Sequence, residues 1–262
     1  MAAEAVPFGL AIGLALGMLG GGGSVLAVPV LVYVLGQGVH EATTASLVVV
    51  AAGAVAGGLA HHITGRVCWR HAAVFSVAAL PGVVAGTAAG NAVSGPLLIA
   101  AFAGVMLAAA AGTWRRAGRH PADEPRAARP VCPPLKAARD AGAGLAIGFM
   151  TGFFGVGGGF LVVPTLAIAL AFSMRPAVAT SLAIITVTSL SGLAAHLVAD
   201  RAIDVPVTAA MAAACAAGAY GGASLAARAP QRRLARGFAV LVTAVAAYLL
   251  VSAAFLGGPP SS

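Results

Sequence analysis

An all-α integral membrane protein with two inverted repeats, each a glycine-broken helical hairpin plus three transmembrane helices, is the fold this sequence predicts. Composition, a duplicated glycine-rich stretch and the placement of the basic residues predict it. The 262 residues are 60% hydrophobic and only 8% charged, with a mean hydropathy of +0.98, whereas about a quarter of a soluble domain is charged. The stretch Gly17-Met-Leu-Gly-Gly-Gly-Gly-Ser-Val-Leu-Ala-Val-Pro29 returns as Gly152-Phe-Phe-Gly-Val-Gly-Gly-Gly-Phe-Leu-Val-Val-Pro164. The net charge of +8 is a topology signal: the basic residues lie between apolar segments without interleaved aromatics, so nucleic acid is not a partner. The partners expected instead are the lipid bilayer and a small anionic substrate, with a homo-oligomer left open.

Apolar segments run over 6–35, 43–63, 71–90, 94–113, 142–171, 177–198, 205–226 and 234–256. The first and fifth hold about 30 residues, where a bilayer crossing needs roughly 20. A glycine costs about 1 kcal/mol relative to alanine inside a helix, so consecutive glycines break it and expose backbone N–H groups. In hydrocarbon those groups must face protein, water or a ligand. The Arg- and Pro-rich run from Trp114 to Asp140 reads as a solvent-exposed linker, dividing the chain into a first repeat (1–113), a linker (114–140) and a second repeat (141–262).

A shift of 135 superposes the halves. Between the 58 pairs from Gly9/Gly144 to Arg66/Arg201, 21 are identical without a gap, among them Pro29/Pro164, Ser46/Ser181 and His61/His196. A one-residue slip then aligns Gly82 with Gly218 and Gly86 with Gly222. If each long segment crossed once, the basic residues would divide ten to five across the membrane. If each turns back at its glycines, fourteen lie on one side and Arg201 alone on the other. The positive-inside rule selects the second arrangement, with the linker cytoplasmic and both termini outside. About 45 Å of helix in each long segment is also too little for two full crossings and enough for two half-helices. Met1 to Pro7 carries no basic residue, so the first segment is expected to be retained.

Inverted repeats with broken helices at the midplane are secondary-transporter architecture. The second half-helices are expected to begin near Gly23-Ser24 and Gly158-Gly159, with N-termini facing the midplane and favouring an anion. Ser24 reads as an N-cap or a hydroxyl donor. Thr43, Thr44, Ser46, Thr180 and Ser181 follow at matched places, able to donate to an oxyanion or to bond their own backbone. His61 and His196 either touch substrate or couple protons, or stand at the interface, as neighbouring His62 suggests. Asp200 and Asp204 read as solvated. Cys68, Cys132 and Cys215 have no C-x-x-C spacing, so neither a metal site nor a disulfide framework is expected. No catalytic triad, H-E-x-x-H, dinucleotide fingerprint or Walker lysine appears; the chain reads as no enzyme, without cofactor.

The paired glycine motifs, each followed by Ser-Leu (Ser46-Leu47, Ser181-Leu182) and later by His61 or His196, resemble the TauE/SafE sulfite exporter family, also called the toluenesulfonate uptake permeases. The resemblance covers both halves. It implies a carrier of the bacterial inner membrane, an exporter of small sulfur-containing anions such as sulfite, thiosulfate or organosulfonates; an anion channel is the alternative. Carried over by motif, it implies Gly22, Gly23, Ser24, Gly157, Gly158, Gly159, Ser46 and Ser181 as substrate contacts, to which His61 and His196 are added. The first copy departs from the fuller pattern in having Ser24 where the second has Gly159.

Overall fold

With no water to accept or donate, an apolar chain in a bilayer satisfies its backbone within helices, and the computed structural model is helical throughout its ordered elements. It describes residues 2–63, 67–90, 93, 95–119, 132–154, 159–198 and 204–255, among which there is no strand. The first long segment forms α1 (Ala2–Leu19), a tight 3-10 turn (Gly21–Gly23), α2 (Ser24–Pro29) and a widened helical turn (Val30–Val34). Then come α3 (Val39–Ile63), α4 (Trp69–Gly90) and α5 (Gly95–Arg119). The order recurs as α6 (Ala137–Phe154), α7 (Gly159–Pro164), a widened turn (Thr165–Ala169), α8 (Met174–Val198), α9 (Val205–Arg228) and α10 (Gln231–Phe255).

The first glycine run breaks its helix as expected: Gly20 takes φ 71°, and the chain restarts through Gly21–Gly23. On the far side each hairpin carries a proline, Pro29 or Pro164, which lacks an amide hydrogen, and the turn that follows is π-helical in both copies. Both turns end alike. Leu35 N–H donates to Val30 O and Leu170 N–H to Thr165 O, each at 3.1 Å; Gln37 N–H donates to Leu31 O and Phe172 N–H to Leu166 O, each at 3.0 Å. The residue between them is left-handed in both, Gly36 at φ 67° and Ala171 at φ 59°.

Small residues set the helix pairings. A Cβ on Gly9, Gly13 or Gly17 of α1 would strike the carbonyl of Met211, Cys215 or Ala219 on α9, so the two run parallel in backbone contact. Gly144, Gly148 and Gly152 of α6 meet the carbonyls of Phe75, Ala79 and Val83 on α4 in the same way. This is close packing through glycines four apart, the usual means of bringing helices together without a hydrophobic driving force. Gly53 and Gly57 face Cys215 and Ala219, making α3 parallel to α9, while Gly57 on Leu182 and Gly192 on Leu47 make α3 and α8 antiparallel. Helices α5 and α10 pack on each other outside this group, with the Arg236 guanidinium 5.5 Å from the Trp114 ring.

Among the described residues four helices are long and apolar enough to cross a bilayer, within Glu41–His62, Trp69–Ala89, Met174–Ala194 and Val205–Arg228. Their outer faces expose Leu59, Val77, Val84 and Val205, large apolar side chains that a bilayer covers.

These directions gather the described basic residues at one end of the bundle: Arg70, Arg115, Arg116, Arg119, Lys136, Arg139, Arg175, Arg228, Arg232, Arg233 and Arg236. Glu4, Glu41 and Asp204 lie at the other. Asp204 is not simply solvated, as expected from its loop. It caps α9 by accepting the Val207 N–H at 3.2 Å, and its own N–H donates to Glu41 Oε1 at 2.9 Å.

At the basic end two further expectations are corrected. Cys68 and Cys132 form a disulfide, with Cα atoms 5.9 Å apart, although 64 residues separate them. The turn between α3 and α4 and the strap leading into α6 fold onto the same spot, which spacing along the chain does not reveal; Cys215 is a buried core thiol. The run 114–140 is also not exposed throughout. Trp114–Arg119 continues α5, and Asp140 lies in the first turn of α6, 1% exposed, paired with His71.

The left-handed pair gives a direct test. An L side chain at φ near +60° costs about 1 kcal/mol or more relative to glycine. Ala171→Gly is expected to stabilise the purified protein by about 1 kcal/mol, and Gly36→Ala to destabilise it by a similar amount. Thermal unfolding in detergent reads both, and equal midpoints for the two variants would contradict the assignment.

Candidate functional site

The two hairpins meet where the first turns and the second restarts as α7. Ser24 and Gly159 hold the same place in the duplicated stretch, and a Cβ on Gly159 would lie 2.8 Å from Ser24 Oγ and 3.0 Å from Ile185. Gly21 is closer still, since a Cβ there would overlap the Gly159 carbonyl and the Phe160 amide. Ile185 lies midway along α8, so the contact is inside the bundle. Gly20 reaches the same region, facing Ser181 Oγ, Val163 and Val178.

The restarted helix begins earlier than expected, at Gly21, because the Ser24 N–H already donates to Gly21 O. The amides at its start are therefore those of Gly21, Gly22 and Gly23, all buried. This also overturns the N-cap reading of Ser24, whose hydroxyl caps nothing and donates to Gly21 O at 2.7 Å. Ser46 and Ser181 do the same, donating to Thr43 O at 2.7 Å and Val178 O at 2.8 Å. All three spend their hydrogen on the carbonyl three residues back and offer lone pairs outward.

His61 is a buried latch between α3 and the first hairpin. It is 2% exposed, and its Nε2 lies 3.3 Å from Gly17 O, an acceptor, so the ring nitrogen donates. The interfacial reading fits His62, which is exposed and meets the Trp69 ring edge-on at 5.6 Å. Thr180 is fully buried, and its Oγ1 accepts the Cys68 N–H at 3.1 Å, tying α8 to the start of α4.

Thus Gly22, Gly23, Ser24, Gly159, Ser181 and His61 surround one tip region. Ser46 takes the place matched to Ser181 on the alignment of the two halves. Gly155, Gly157 and Gly158 lie outside the described residues, as does the side chain of His196 in the last turn of α8. Such a site offers amide hydrogens in an apolar shell of Val163, Ile185, Phe238 and Leu241. Among the described residues no cluster of three or more His, Cys, Asp or Glu could hold a metal ion.

Residues 5–249 match the family described as "Sulfite exporter TauE/SafE". The chain belongs to the TauE/SafE family. Two proteins of Xylella fastidiosa strains, each described as "Probable membrane transporter protein", are 37% identical over 172 residues, 65% of this chain. The match spans 64% of their length. A shorter stretch of 57 residues, 22% of this chain and 21% of the relative, is 42% identical to a protein of the same description from Methanocaldococcus jannaschii. No solved structure matches the chain. In this TauE/SafE member the glycine-rich tips, matched by sequence, are also the place where the two hairpins touch.

Backbone contact at the tips and hydroxyls bonded to their own carbonyls make opposite predictions for two neighbouring residues. Gly21→Ala is expected to be severely disruptive, with loss of folded protein on size-exclusion chromatography. Ser24→Ala removes one local hydrogen bond, worth about 1 kcal/mol, and is expected to leave a folded protein with a slightly lowered thermal midpoint.

Proposed function

We propose that the chain is a secondary transporter of a small sulfur-containing anion such as sulfite, thiosulfate or an organosulfonate, moving it outward by alternating access. The observation that carries this is the meeting of Gly21 and Ser24 with Gly159, which puts the amide-rich start of a helix inside the bundle. Helix N-termini attract anions through unpaired N–H groups and the positive end of the dipole. The proposed ligands are Gly22, Gly23, Gly157, Gly158, Gly159, His61 and His196, with Ser24, Ser46 and Ser181 donating to the anion once their hydroxyls leave the backbone carbonyls they bond here. The family supplies the sulfur-anion class, and the names of the relatives are consistent with transport.

The arrangement proposed is an inverted repeat, 1–113 and 141–262 about the linker 114–140. Matched glycine ladders and opposite helix directions support it: α1 and α3 run with α9, while α8 opposes α3. In such a frame the tips part on one side and then on the other. Gly21 and Gly159 in backbone contact favour a carrier over a channel, which needs a standing path.

We place the basic end in the cytoplasm of a bacterial inner membrane, with both termini outside. The Cys68–Cys132 bond lies at that end, where cellular thiols keep most cysteines reduced. Charge bias spread over several loops outweighs one bond in setting orientation.

Transport in proteoliposomes tests the function. Wild-type protein should show saturable uptake and counterflow of sulfite or sulfoacetate, and Ser24, Ser46, Ser181, His61 and His196 to Ala should each weaken it. Unchanged flux and affinity in all five would remove the assigned site, and an ohmic bilayer current would favour a channel. Orientation is read separately. With Cys68→Ser, Cys132→Ser and Ser262→Cys, an impermeant maleimide should label intact cells; labelling only after lysis reverses the assignment.

A further inference from the structure

At the basic end His71 of α4 and Asp140 of α6 form a buried hydrogen-bonded pair, their side chains 4% and 2% exposed. His71 Nδ1 meets Asp140 Oδ1, and its Nε2 lies 3.0 Å from the carbonyl of Pro133 in the strap. The Phe172 ring closes the site edge-on at 4.9 Å.

Both partners of this imidazole are acceptors unless a proton is added. A carbonyl can only accept, so Nε2 carries a hydrogen; in a neutral ring Nδ1 is then a lone pair facing a carboxylate oxygen. Contact on that side requires a second proton, on the ring or on the carboxyl. Both contacts can be hydrogen bonds at once only with one proton more than a neutral histidine and a carboxylate supply.

We propose that His71, Asp140 and the Pro133 carbonyl form a proton-binding site whose loading and unloading couple substrate movement to a proton gradient. This rests on the transporter reading above. An unloaded site leaves a buried carboxylate without its counter-charge, or two acceptors in contact, and both are costly in a low dielectric. The strap is fastened by Cys132 to Cys68, three residues before His71, and the carboxylate comes from α6. That helix runs directly to Phe154, at the second hairpin tip.

The site exists once. On the alignment of the two halves, Asp140 answers to Ala5 and His71 to Val207, buried apolar residues of the matching α1/α9 interface. Arg70, Lys136 and Arg139 are exposed, and Arg175 of α8 directs Nη2 to Ala229 O at 3.1 Å. The remaining titratable residue of α8, His196, is at its opposite end.

The test uses full-length oxidised protein in proteoliposomes with radiolabelled sulfite. A pH gradient should drive wild-type accumulation, while counterflow proceeds without one. His71→Gln and Asp140→Asn should keep counterflow within about threefold and lose gradient-driven accumulation by about tenfold or more. Accumulation retained in both variants, no effect of the gradient on wild type, or parallel loss of counterflow in folded variants would each overturn the proposal. The last would mark the pair as a structural staple.

If wild-type protein exchanges no sulfite, or the variants do not fold, nitrogen-15 NMR of labelled histidine in the wild-type protein decides. The His71–Asp140 pair should hold the extra proton and release it reversibly as pH rises. A single protonated ring nitrogen beside a carboxylate at every pH would refute proton binding, independently of the transport reading.

Discussion

Backbone against backbone in the middle of an apolar bundle is the constraint on which this structure turns. Gly21 approaches Gly159 so closely that no side chain fits on it. A helix end in hydrocarbon is tolerable only when protein surrounds it. The glycine ladders that join α1 to α9 and α6 to α4 hold the arms of the two hairpins where their tips can provide that enclosure. Glycine thus acts in two ways along one helix. Spaced by four, it lets helices touch; run together, it stops the helix and turns the chain.

What the sequence revealed follows from that distinction. Consecutive glycines between apolar arms are a local signal, so the break after Leu19 and the restart before Pro29 are readable, as is the all-helical character of the chain. The start of the second half-helix was misplaced because a 3-10 turn at Gly21–Gly23 is indistinguishable by composition from a glycine loop. Ser24 looked like a cap by its position, yet the helix had already begun, and its hydroxyl turned back to Gly21 O. The Cys68–Cys132 bond and the burial of Asp140 were hidden for another reason. Each joins segments more than sixty residues apart, and Asp140 stands beside Lys136 and Arg139 in a run whose local character is that of an exposed linker.

Comparison of the halves with each other holds information that neither half holds alone. Most of the 135-residue correspondence is backbone architecture: glycine ladders, prolines before widened turns, and left-handed residues at 36 and 171. The departures from it are chemical. Ser24 faces Gly159, and His71 with Asp140 stands where Val207 and Ala5 stand in the other interface.

These departures bear on how an inverted-repeat carrier could have a preferred direction. In the proposed arrangement, two identical halves would make the inward- and outward-open states mirror each other in energy, and neither would be favoured. A ligand or proton shifts such an equilibrium only to the extent that it interacts differently with the two states. The buried His71–Asp140 pair, present in one interface and absent from its counterpart, is such a difference. In the proposed carrier the glycine tips, matched in sequence, supply the pathway, and the unmatched polar groups the bias between its two ends.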